Sequence, residues 1–177
     1  MNASAWILAA SRWHGHLLES MIATAGILLL VMTVMIGVDV LFRNIGAGGI
    51  SPSNELSEDS LYLITLLAAP GLLRHGQHIR IDIVLRALPL RIGWLLEWVG
   101  DIVGLTCCLT FVYYGLGVAA ESFQAGSVSI KTLVLPEWWL LAPMPVAFIL
   151  LALEFCFRMH RLTIAERRPR EDAVSAS

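Results

Sequence analysis

Cys107 and Cys108 stand side by side. Vicinal thiols are the raw material of a membrane thiol oxidoreductase, provided an electropositive, accessible setting holds one of them as thiolate. Both lie in the uncharged stretch 102–120, and Cys156 also falls within an apolar block, where cysteine usually serves as a small packing residue. Packing is the expected role. The five histidines raise the question of haem, which in small respiratory subunits is held by imidazoles facing each other inside the bilayer. His14 and His16 precede the first apolar block, His75 and His78 follow the second, and His160 follows the last. None sits at a block centre, and two histidines are too few for a metal site, so neither haem nor metal is expected. Among the acids, Asp39 and Arg43 are one helical turn apart and read as a structural ion pair in preference to an ion site. Glu97 and Asp101 share a helix face, with Arg91 or Arg86 available to neutralise them. Glu19 and Glu154 sit close enough to block ends to reach water. Intramembrane acids are functional candidates by default. These lie near span ends, so no proton or sodium relay and no enzymatic centre is expected.

The elements that carry these residues are apolar blocks. Residues 21–38 and 102–120 are uncharged, as are 60–73 and 138–153, in a chain that is 57% hydrophobic and 15% charged. A span needs about 20 mostly apolar residues, and backbone groups in lipid must bond within their own segment, which selects helices. An all-α integral membrane fold follows, one four-helix domain over 1–165, with spans at about 17–42, 55–73, 92–120 and 136–157. The polar tail 166–177 is expected to be disordered.

Charge orients the spans. Of twelve Lys and Arg residues, only Arg43 and Lys131 fall in the loops after the first and third blocks; the others precede the first, lie between second and third, or follow the fourth. Basic residues near span ends stay in the cytoplasm, so both termini should be cytoplasmic. The first block is too long for a signal peptide and starts too late in the chain. A net charge of −2 leaves no basic footprint for nucleic acid. No internal repeat is visible, so the inverted halves of a complete secondary carrier are missing.

The third block, run from 92 to 120, would be about 43 Å long at 1.5 Å per residue. It must tilt, or begin in the interface beside Trp94 and Trp98. Before it, Ile79, Ile81, Ile83, Val84, Leu85 and Leu88 interleave with Arg80, Asp82 and Arg86, the pattern of a short interfacial amphipathic helix between second and third spans. The last span opens on Pro136, Glu137, Trp138 and Trp139, a proline, a first-turn acid and interfacial aromatics. Pro143 and Pro145 should kink it.

The stretch 43–82 resembles the small membrane subunit, of the DctQ type, of tripartite ATP-independent periplasmic (TRAP) transporters. Arg43 and Asn44 match the end of the family's first span. Ser51, Ser53, Asn54, Glu55 and Leu56 stand where a Ser/Trp-rich segment leads into Glu-Glu-Leu. Arg74, Gly76, His78, Ile79, Arg80 and Asp82 match its Arg-x-Gly-x-His-Ile-Arg-x-Asp motif, and Pro136, Trp138, Trp139 and Pro145 resemble its last span. Asn54, Glu58 and Leu63 depart from the family pattern. The resemblance implies a subunit of the bacterial inner membrane that scaffolds a large DctM-type permease subunit. That partner would hold the sodium ions, and a DctP-type periplasmic binding protein would deliver an organic acid or similar solute. It implies no cofactor in this chain. His78, Arg80 and Asp82 would brace the cytoplasmic surface and touch lipid phosphates, and Arg74, Pro136 and Trp138 are further structural candidates. Asp39, Arg43, Asn44 and Glu55 would order the outer face. Three alternatives stay open: the small subunit of a tripartite tricarboxylate transporter, against which the His-Ile-Arg-x-Asp block speaks, a membrane redox subunit, and a plain assembly factor without transport.

Overall fold

The computed structural model describes residues 3–46, 48–75, 90–130 and 134–164. The interfacial helix expected at 79–88, with His78, Arg80 and Asp82, lies outside the described residues, as do Arg86, Lys131 and the tail 166–177.

Helix α1 runs Ala3–Asn44, α2 Ser53–Arg74 and α3 Leu90–Ala125. Strands β1 (Val128–Ile130) and β2 (Val134–Pro136) pair antiparallel, with Ser129 opposite Leu135. Short helix α4 (Glu137–Leu141) then leads into α5, Pro143–Ile164. Four helices are long and apolar enough to cross a membrane: Ser11–Asn44, Ser53–Arg74, Ile92–Ala125, and α4 with α5 as Glu137–Thr163.

Each element has a local cause. Between Ala3 and Trp13 no Gly or Pro interrupts α1, so the helix starts well before the apolar block. It ends at Asn44, and Gly46 and Gly48 adopt positive φ in the connection that follows. Gly126, at φ 62°, stops α3 in the left-handed geometry that suits a glycine after a helix, and the Ser127 amide donates back to the Ser122 carbonyl at 3.2 Å. The hairpin was not expected; the loop 121–135 contains it because β-branched Val128, Ile130 and Val134 follow that stop. The last span is divided into two helices just before the proline pair, with Ala142 between them in right-handed helical geometry. Pro143 and Pro145 fall in the first turn of α5, where a missing N–H has no intrahelical partner to lose. The Ala142 amide still bonds the Trp138 carbonyl at 2.9 Å.

The helices form a row. α1 packs on α2, α2 on α5, and α5 on α3. The burial of the spans follows that order: 33% for the last span, against 6% and 11% for the first and third at the edges. The core is small, built from Leu73, Cys108, Leu151, Ala152 and Phe155 with Phe148 packed against it. Cys108 is thus a packing residue, whereas Cys107 is exposed. The two neighbours leave the helix in different directions.

Two contacts need glycine for space. A Cβ on Gly104 would lie 2.4 Å from the Phe155 ring, and one on Gly71 would lie 2.4 Å from the Ile22 Cδ1 and 3.3 Å from the Leu18 carbonyl oxygen. Since Leu18 O is backbone of α1, side-chain repacking alone cannot relieve a larger residue at 71. Gly71→Leu is expected to cost about 1–3 kcal/mol, as overpacking does, and to lower the unfolding midpoint in detergent. An unchanged midpoint would mean that α1 and α2 are not held this closely.

Candidate functional site

Antiparallel crossing gathers the polar residues at two ends of the row. At the hairpin end, Asp39 is buried although it lies in an apolar helix. Its Oδ2 is 2.9 Å from Arg43 Nε, and its Oδ1 accepts the Ile50 backbone N–H. A Cβ on Gly49 would stand 2.5 Å from Arg43 Nε and 2.9 Å from Asp39 Oδ1, so the chain after α1 folds down onto this ion pair. One carboxylate thereby fixes both the last turn of α1 and the connection into α2. Asn44 is exposed, and Glu55 is half-buried in the first turn of α2. Pro136 and Trp138 are positioned separately. Pro136 pairs with Val128 and precedes α4. The Trp138 ring sits edge-on to Phe123 at 5.5 Å and to Trp139 at 5.9 Å. The Ser122 hydroxyl donates to Glu137 at 3.4 Å. Asp39→Ala is expected to release residues 45–52, read as faster deuterium exchange at Ile50. Unaltered exchange there would show that the carboxylate does not hold the connection.

The opposite end is more densely charged. Glu154 of α5 is completely buried, which corrects the expectation that it reaches water. Arg161 Nη2 donates to its Oε1 at 2.5 Å and Arg74 Nη1 to its Oε2 at 3.3 Å. His14 Nε2 lies 3.6 Å from the same Oε2, and its ring is tilted against Phe157 at 5.6 Å. The Arg74 guanidinium crosses α1 at Gly15, where a Cβ would stand 2.6 Å from Nη2. One carboxylate therefore ties α1, α2 and α5. Three residues along α5 from Arg161, buried Arg158 places Nε 3.0 Å from Oδ1 of buried Asp101 on α3. Among the described side chains Asp101 meets Arg158; Arg86 and Arg91, expected to neutralise Glu97 and Asp101, have side chains outside the described ones. Trp94 Nε1 donates to the Leu162 carbonyl at 3.4 Å, a second tie from α3 to α5.

Of the expected site residues, Asp39 meets Arg43 directly, and Arg74 is joined to Glu154, a residue outside the expected set. His14, Asp101, Arg158 and Arg161 were also missed. Their signal was Glu154, Arg158 and Arg161 at i, i+4 and i+7, which places an acid and two bases on one flank of an apolar helix. Apart from the Arg161–Glu154 and Arg43–Asp39 pairs within one helix, these charges are spent on one another across helix boundaries, so their chemistry is that of clamps.

The family described as "Tripartite ATP-independent periplasmic transporters, DctQ component" matches residues 32–163. The chain belongs to the DctQ family. The match begins in the C-terminal half of α1 and runs to the end of α5, so it takes in the Asp39 cluster, the hairpin and every member of the Glu154 cluster except His14. No curated protein sequence matches the chain. As a DctQ component it is the small permease subunit of a TRAP transporter and a multi-pass membrane protein.

Proposed function

We propose that this DctQ subunit widens the static scaffold of a large DctM-type permease subunit in the bacterial inner membrane, both its own termini being cytoplasmic. The large subunit carries sodium and an organic acid or similar solute, which a DctP-type periplasmic binding protein delivers. The observation that carries this reading is the open row of helices: two edge helices leave broad apolar faces uncovered, while buried Glu154 and Asp101 are tied to cations of neighbouring helices. A carrier needs a site that opens and closes; a scaffold needs rigid ties and area for a neighbour. The Glu154 and Asp101 clusters supply the ties at the arginine-rich end, which the charge sidedness assigns to the cytoplasm. His78, Arg80 and Asp82 of the motif would extend that bracing toward lipid phosphates. Asp39, Arg43, Asn44 and Glu55 would order the periplasmic face where the binding protein docks.

The test is sodium-driven uptake in cells lacking this chain, with the other two components intact. Accumulation should vanish and return when the chain is restored; full uptake without it would overturn the scaffold role. In the restored cells Glu55→Ala should reduce uptake several-fold at limiting binding protein while leaving the subunit in the membrane. Equal uptake would remove Glu55 from the docking face.

A further inference from the structure

Of the described histidines only His14 is buried; His16, His75 and His160 are exposed. The His14 ring is tilted against Phe157 of α5, and its Nε2 lies 3.6 Å from Glu154 Oε2. Both oxygens of that carboxylate are already taken, Oε1 by Arg161 and Oε2 by Arg74. At Gly15, next along α1, a Cβ would stand 2.6 Å from Arg74 Nη2, so the guanidinium and the imidazole share one crossing. Among the described residues the cluster thus sets one acid against two permanent cations before His14 is counted. The charges around it cancel or face water. Arg158 of α5 meets buried Asp101 of α3 at 3.0 Å, and Glu97 is buried on α3 as well. On α1, exposed His16 and Glu19 approach each other at 3.6 Å, and Arg12 is exposed.

Distance decides what a proton on His14 would do. It would feel one attraction, from the carboxylate at 3.6 Å. Measured through that same carboxylate, Arg74 Nη1 lies within about 7 Å of Nε2 and Arg161 Nη2 within about 8 Å, and Coulomb energy falls only as the inverse of distance. Two repulsions at those separations match the single attraction. The uncompensated part is the cost of a charge in a buried site. Packed α1 therefore favours a neutral imidazole, whereas an α1 end released into water carries either form. The sign follows: the packing is fully present above the ordinary imidazole range and is lost as pH falls through it. Protons have a route. The helix from His14 to Asp39 is about 38 Å long at 1.5 Å per residue, more than a hydrocarbon core of about 30 Å. With Asp39 at one boundary, His14 reaches the other, beside exposed Arg161. Charge sidedness assigns that end to the cytoplasm. We propose that His14 is a proton-binding latch: neutral, it lets α1 pack on the Arg74–Glu154–Arg161 cluster; protonated from the cytoplasmic side, it frees the N-terminal part of α1 from α2 and α5.

The test is deuterium exchange on the purified full chain in mild detergent, at about pH 7.5 and about pH 5.5, either side of the ordinary imidazole value of about 6.5. Rates are corrected for the intrinsic effect of pH on amide exchange. Wild-type protection over residues 12–18 should fall about tenfold in acid, the most that one proton gives a unit below that value. Residues 37–44, at the Asp39 end, should keep theirs. His14→Gln, which cannot take up the proton, should show no fall. His14→Lys, a fixed cation, should be poorly protected at both pH values. Unchanged or higher wild-type protection in acid would overturn the latch. So would an equal fall in His14→Gln, which would trace the effect to Glu154, His75 or His160. Should His14→Gln not fold, His14→Lys still decides: protection like the wild type's at the higher pH would show that a third cation is tolerated. These readings concern this chain alone, so they stand or fall separately from the scaffold role.

Discussion

Glu154→Ala should be the most damaging single substitution in the chain, costing about 3–5 kcal/mol of stability, the range for removing one partner from a buried ionic group. Polar contacts between helices in a bilayer average only about 0.6 kcal/mol when deleted, because the separated helices find other partners. Glu154 differs because its loss strands two cations and a histidine in place. Arg161, with its side chain 43% exposed, can turn toward water, so it contributes the smaller share. Arg74 is more enclosed, at 21%, and is wedged against Gly15. The substitution should therefore loosen α1 and α2 from α5, lowering the unfolding midpoint and the yield of folded subunit. Glu154→Gln, which keeps the shape and one acceptor, should fall between wild type and alanine. A midpoint within error of wild type for Glu154→Ala would mean that the cluster does not hold the row together.

Arg158→Leu should likewise cost about 3–5 kcal/mol, the range for removing one partner of a buried pair, because buried Asp101 would lose a cation 3.0 Å away. The informative comparison is the double variant Asp101→Leu with Arg158→Leu. Replacing a buried ion pair by packed apolar residues is often neutral or stabilising, so the double variant should recover most of the loss. If it is as unstable as Arg158→Leu, the arginine acts through something other than this pair. Both predictions are read by the same unfolding measurement in mild detergent.

The spans were legible because a bilayer imposes length and composition on them. Motif residues 43–82 carried the family. Helix order was not legible: the uncharged stretches 21–38 of α1 and 102–120 of α3 are apolar on every face, so nothing in them separates a lipid-facing side from a packed one. The hairpin escaped because two three-residue strands carry too little period to read. The burial of Glu154 was hidden by a different cause. Its place near the end of an apolar block pointed to water, but α1 begins as early as Ala3 and so brings His14 and Gly15 alongside α2 and α5. The depth of a charge was judged along its own helix, whereas its burial is set by how far the neighbouring helices extend. Arg74 was legible as a motif residue without its partner, for the same reason.

The most direct test of the scaffold role is a tagged pull-down from native-host membranes in mild detergent, with mass spectrometry of what co-elutes. The predicted result is a large many-span permease subunit in near-equal amount. Recovery of the chain alone, or with coloured redox subunits, would contradict it.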